Sequence, residues 1–200
     1  VDVVGATRFD RVLQIKEAAR RLPIIDAFVG GDADVKAPVF VAGSSWQPDE
    51  EIFIPYFNEH RQWKLIIAPH VIGEDHLRQI TDMLQMKTVR YTQPNEQEAA
   101  EADCLIIDCF GLLSSAYHYG DVAYVGGGFG VGIHNVLEAA VWDMPVIFGP
   151  NNQRFSEAQG LKRAEGGFEI HTPEDFEELI TRFTDDAEYR KCCGDRAGAF

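Results

Sequence analysis

Positive charge is scarce in this sequence. Lysine and arginine number 18 against 32 aspartates and glutamates, leaving a formal net charge of -14 over 200 residues. A surface that acidic repels polyphosphate backbones and anionic bilayers, so nucleic acid is not an expected partner. A small anionic ligand remains compatible with it, because loop amides and helix N-termini bind anions locally. Long apolar runs are also lacking. None reaches the roughly 18–20 residues that span a bilayer, and no signal peptide opens the sequence, so a soluble chain is expected. Paired cysteine motifs are missing too: Cys104, Cys109, Cys192 and Cys193 form no CxxC and no zinc-like spacing. Free thiols in a reducing cytoplasm are therefore expected rather than a disulfide framework. No phosphate-binding G-x-x-x-x-G-K-[ST] occurs, and G-x-G-x-x-G fits no register, which argues against a P-loop NTPase or a nicotinamide enzyme.

What the sequence does contain is a regular alternation. Hydrophobic residues make up 46% of the chain, enough for one α/β domain with a closed core. Val12, Ile15, Ala19 and Leu22 recur at helical spacing after Arg8-Phe9 and predict an amphipathic first helix. Apolar strand-like runs follow at 38–42, 63–68, 88–91, 104–108, 121–125 and 145–148. Helical segments are expected from Pro48-Asp49-Glu50-Glu51 onward and over about 75–84, 110–119, 135–142 and 154–163, with a last one capped by Thr172-Pro173. Continuous rather than alternating apolar strands imply a parallel sheet of about six strands covered on both faces. The expected fold class is α/β, a Rossmann-like parallel sheet with helices on both faces. Residues 1–200 read as a single domain. The strand-like Val1–Gly5 at one end, and Gly194–Phe200 at the other with no recognisable terminal element, suggest a piece of a longer protein.

Ligands of such sheets bind beyond the carboxyl ends of the strands. That rule selects the loops at Gly43–Ser45, Pro69-His70, Asp108–Leu112 and Gly126–Glu138. The last is the most unusual segment, Gly126-Gly127-Gly128-Phe129-Gly130-Val131-Gly132-Ile133-His134-Asn135-Val136-Leu137-Glu138. Its glycines let backbone approach a ligand, and a helix N-terminus follows at once. Glu138 admits two readings: a carboxylate folding back onto an Asn135 N-cap, or an acceptor of ribose hydroxyls. His70 directly follows a buried strand and is a cleft candidate. His134 is either a functional or a plain loop histidine. His60, His76, His118 and His171 read as surface or helix residues. Asp49, Glu50 and Glu51 suit acid–base work but are explained more simply as first-turn partners of the helix dipole. Cys109 ends a strand without a base beside it. No metal-ligand cluster is present.

The segment from Gly126-Gly127 through His134-Asn135-Val136-Leu137-Glu138 resembles the Kdo (3-deoxy-D-manno-octulosonic acid) transferase family. The likeness continues through Pro145–Pro150 and Asn151–Phe155, and upstream through Gly5–Val12 and Val41–Trp46 with Asp49-Glu50-Glu51. It runs from about residue 4 to 183. The resemblance implies the C-terminal lobe of a two-lobed glycosyltransferase-B fold, with no cofactor and no catalytic metal. It implies an inverting transfer from CMP-Kdo to a lipid A precursor, as in lipopolysaccharide assembly at the cytoplasmic face of the inner membrane. It places donor contacts at Gly43, Ser44, Pro69, His70, Phe110, Gly111, Leu112, Gly127, His134, Asn135, Val136, Leu137 and Glu138. Two positions depart from the family: Gly111-Leu112 stands where Gly-Glu is common, and no Arg accompanies His70. The family's general base, acceptor site and membrane contact lie on an N-terminal lobe absent from this sequence, so no catalytic residue is expected here. The competing expectations are a nucleotide-sugar 2-epimerase, another transferase of the same fold, and a non-catalytic nucleotide-sensing module.

Overall fold

The computed structural model describes residues 3–30 and 36–200, with the backbone alone for residues 3–9. Two helices come first, α1 (Val3–Ala18) and α2 (Pro23–Gly30). Seven strands then alternate with helices. They are β1 (Val39–Ser45), α3 (Gln47–Glu59), β2 (Lys64–Pro69), α4 (Glu74–Met83), β3 (Thr88–Arg90), α5 (Glu96–Glu101) and β4 (Cys104–Ile106). After them come α6 (Leu113–Tyr117), β5 (Val122–Val125), α7 (Leu137–Ala140), β6 (Val146–Phe148), α8 (Ser156–Arg163), β7 (Gly167–Glu169), α9 (Pro173–Asp185) and α10 (Ala187–Ala199).

The strands form one sheet in the order β3-β4-β2-β1-β5-β6-β7, and every neighbouring pair is parallel. Alternate residues of each strand feed opposite faces. Val39, Val41, Ile66, Leu105, Ala123 and Val125 join one core with Ile25, Phe28, Ala116, Val136 and Leu161. Phe40, Ala42, Leu65, Ile67, Cys104, Val122 and Tyr124 join the other with Phe53, Phe57, Leu77, Phe176 and Phe183. Both faces are thus buried under helices, which is why the strands read as unbroken apolar runs.

The order reverses at β1. One branch runs through β2, β4 and β3, the other through β5, β6 and β7. In doubly wound sheets the crevice at this reversal is the usual ligand site. Here the loops leaving β1 and β5 meet directly, with Gly126 donating its amide to the Gly43 carbonyl at 2.9 Å.

Several elements differ from the sequence expectation. The sheet has a seventh strand, β7, at an edge, and helices α2 and α5 were not anticipated. Val3–Gly5 is helical rather than strand-like; Val1 and Asp2 lie outside the described residues. The last residues form α10, which lacks a strong apolar face but packs through small ones. Ala197 is buried there, and a Cβ on Gly194 would meet the Asp143–Met144 backbone. The glycine loop extends farther than expected, leaving α7 only four residues long.

Candidate functional site

The carboxyl ends of β1, β2, β4 and β5 carry the Gly43–Ser44, Pro69–His70, Phe110–Leu112 and Gly127–Glu138 segments on one edge of the sheet. Their side chains differ in availability. Phe110 is 76% exposed, and Gly111, His70 and Asn135 are exposed, whereas His134 and Glu138 are partly buried. Leu112, Val136 and Leu137 are core side chains. Their apolar groups are committed to packing, which leaves backbone as the part of these three residues that faces outward.

The glycine loop is built by close approach. Gly127 has φ of +98° and Gly132 of +137°, both in the left-handed region, where side chains strain the backbone. The Gly127 carbonyl accepts from the amides of Gly130 and Gly132 at 3.1 and 3.0 Å, and His134 N–H returns to the Gly126 carbonyl at 3.1 Å. A Cβ on Gly128 would stand 2.6 Å from the Gly149 backbone. Asn151 links the same two loops, donating its backbone amide to the Gly128 carbonyl at 2.8 Å and its side-chain amide to the Gly130 carbonyl at 2.7 Å.

Three rings meet beside this loop. Trp46 stacks on His70 with centroids 4.4 Å apart, and His70 lies 4.7 Å from His134. The Trp46 indole N–H donates to Nε2 of His134 at 3.3 Å. That bond needs an unprotonated Nε2. Burial first, and then the neighbouring His70, hold the His134 imidazole below its ordinary range, which favours the neutral ring. Trp46 is not among the donor contacts expected from the sequence; an aromatic residue one position past a strand end at the sheet's switch point was the available signal.

Glu138 departs from the expected capping geometry. Asn135 accepts from the Leu137 amide at 2.8 Å, and Val136 occupies the N-cap of α7, so Glu138 is the second helical residue rather than the third. Among the described residues its carboxylate has no hydrogen-bond partner, and burial alone raises its carboxyl above the ordinary glutamate range.

Asp49 and Glu50 are also more than first-turn acids of α3. Both are fully buried. Oδ1 of Asp49 accepts from the Tyr124 hydroxyl at 2.5 Å, while Oδ2 accepts from the Trp46 amide at 2.9 Å and the Gly127 amide at 3.2 Å. Oε2 of Glu50 accepts from Ser45 Oγ at 2.8 Å and lies 3.1 Å from His76 Nε2, but its Oε1 is buried without a partner. Burial raises both carboxyls. His76, a helix residue as expected, is also the partner of a buried acid. Glu51 is exposed, and its carboxylate accepts from the Gln47 side-chain amide at 2.9 Å. Burial also raises the Cys109 thiol, which disfavours a nucleophilic thiolate. Among the described residues no group of three histidine, cysteine or carboxylate side chains is placed to hold a metal ion, and no helix is long and apolar enough to cross a membrane.

No family model matches the chain. Over 163 residues it is 31% identical to the 3-deoxy-D-manno-octulosonic acid transferase of Aquifex aeolicus, a match covering 78% of this chain and 44% of that protein. The chain thus spans less than half the length of that relative. Its fold is similar to the C-terminal CMP-Kdo binding domain of WaaA from Acinetobacter baumannii, with a TM-score of 0.73 at 19% identity over 97% of each chain. It also resembles the C-terminal domain of a glycosyl transferase group 1 family protein, LpcC, from Francisella tularensis, with a TM-score of 0.56 at 11% identity over 87% of this chain and 94% of that one. The all-parallel sheet and these neighbours make the fold that of a glycosyltransferase-B C-terminal lobe. In sequence and in architecture together, the chain belongs to the Kdo transferase family, as its C-terminal lobe.

Proposed function

We propose that this chain is the donor-binding half of an inverting glycosyltransferase that moves Kdo from CMP-Kdo to a lipid A precursor in lipopolysaccharide assembly. The observation that carries the reading is Glu138: a partly buried carboxylate without a partner among the described residues, beside a glycine loop at the sheet's switch point. A group held in that state is matched to donors that a ligand brings. Ribose hydroxyls are such donors. In this reading Glu138 accepts them, Gly127 and the loop that follows it lie against the phosphate, and Asn135 and His134 flank it. Pro69-His70 and Phe110-Gly111-Leu112 border the base, with Leu112 contributing backbone only. Gly43 and Ser44 form the floor between β1 and β5.

The general base, the acceptor site and membrane contact are assigned to a partner lobe outside this sequence. The chain by itself then holds the nucleotide end of the donor and transfers nothing. Calorimetry with CMP and UDP tests the nucleotide. Binding of CMP at least tenfold tighter than UDP supports the reading. A preference for UDP supports a 2-epimerase-like or other transferase specificity instead. A parallel assay of Kdo transfer separates the halves: the full-length protein should transfer and the 200-residue chain should not.

A further inference from the structure

The ring cluster and the glycine loop share one anchor that neither supplies. Trp46 leaves β1 and enters α3, whereas Gly127 leaves β5, far along the chain. Both donate their backbone amides to the same oxygen, Oδ2 of Asp49. The other oxygen holds the Tyr124 hydroxyl. Two parts of the proposed donor site, the ring cluster and the glycine loop, meet at these two amides. Trp46 carries the stack with His70 and the hydrogen bond to His134. Gly127 carries the carbonyl that gathers Gly130 and Gly132.

We propose that Asp49 is the positioning residue of the donor site, setting the distance between the Trp46–His70–His134 rings and the glycine loop through its bonds to the Trp46 and Gly127 amides. It touches no donor atom itself, being fully buried behind both. The role is geometric rather than one of charge, because both amides use one oxygen. An asparagine can keep its oxygen at that place and turn its NH2 toward the Tyr124 hydroxyl, whose oxygen then accepts. Alanine offers neither. The proposal rests on the donor-site reading above for its functional consequence, but its structural part stands separately.

The test compares Asp49→Ala, Asp49→Asn and Tyr124→Phe in the same 200-residue chain, with two readouts. One is CMP affinity by calorimetry. The other is solvent exchange of the Trp46 indole N–H by NMR, which reports the bond to His134 whether or not CMP binds. Asp49→Ala should weaken CMP binding at least tenfold and speed the indole exchange at least tenfold. Asp49→Asn should stay within about threefold of the parent in both. Tyr124→Phe removes one hydrogen bond to the same carboxylate but leaves both amides held. It should lower the melting temperature while leaving both readouts within about threefold. If Asp49→Ala matches the parent in exchange and affinity, the proposal is overturned. A tenfold loss in Asp49→Asn, which suffices even where the alanine variant does not fold, overturns it in favour of a role for the charge. Equal damage from Tyr124→Phe makes the carboxylate a general stabiliser, which also overturns it. A parent chain that fails to bind CMP removes the nucleotide reading alone, and the exchange arm still decides what Asp49 does.

Discussion

Two helices begin at the switch point of the sheet, and each has an acid in its first turn. At α3 the acid is Asp49, buried and saturated by three donors. At α7 it is Glu138, partly buried and without a partner among the described residues. Sequence alone treats the two alike, since a first-turn acid meets the helix dipole in either place. The structure separates them by where the donors are. Around Asp49 the fold brings them from Trp46, Tyr124 and Gly127, so the carboxylate serves architecture. Around Glu138 the described residues bring none, which is why the proposed function gives this carboxylate to the ligand. Glu50, next to Asp49, is intermediate, with one oxygen held and one orphaned.

The comparison can be broken at each of the three. The largest effect is expected at Asp49. Truncation to alanine strands a buried amide, a part-buried amide and a buried hydroxyl, and should cost roughly 3 kcal/mol in chemical denaturation. A cost below about 1 kcal/mol would show that water or a shifted loop replaces the carboxylate without penalty. At Glu138 the effect should fall on binding instead. Glu138→Gln keeps the shape and removes the charge, so CMP affinity should drop by roughly 10- to 100-fold, as charge-assisted bonds contribute about 1.5–3 kcal/mol. The melting temperature should hardly move. Unchanged affinity with a lower melting point would return Glu138 to a local structural role. Leu13→Ala, an exposed change outside the proposed donor loops, serves as the control, because Val136 is a core side chain and its truncation would lose packing.

The smallest effect belongs to Glu50, and it depends on pH. Burial raises its carboxyl, so the unfolded chain releases this proton at a lower pH than the folded one does. Stability is therefore lost as pH climbs from the ordinary glutamate range through the raised value. Glu50→Gln removes that ionisation. Its melting temperature should exceed the parent's by about 3 °C near pH 8 and converge with it near pH 4. A constant offset at all pH values would mean that Glu50 stays neutral throughout.

Much of this was legible beforehand, for reasons that can be named. β1, β2, β4, β5 and β6 announce themselves because burial on both faces leaves their central positions apolar. Thr172-Pro173 announces α9, and Thr172 does accept from the Asp175 amide. The gathering of the candidate loops on one edge follows from the strand-end rule once the strands are placed. The failures are physical too. β7 is Gly-Phe-Glu, with one apolar side chain between a glycine and an acid, so it shows no apolar run. α10 packs through glycine and alanine, which carry almost no hydrophobic periodicity. Above all, the burial of Asp49 is decided by Tyr124 and Gly127, residues 75 and 78 positions distant. No local window contains them.

The contact between Gly128 and Gly149 has a thermodynamic consequence. With no side chain between them, and with Asn151 of the second loop bonded to Gly128 and Gly130 of the first, the loop after β5 and the loop after β6 form one stiff body. Most of the ordering entropy that a glycine-rich loop would surrender on meeting a ligand is already lost when the chain folds. A segment whose composition suggests slack is thereby a preorganised wall, and a side chain at either glycine would trade that rigidity for a wedge.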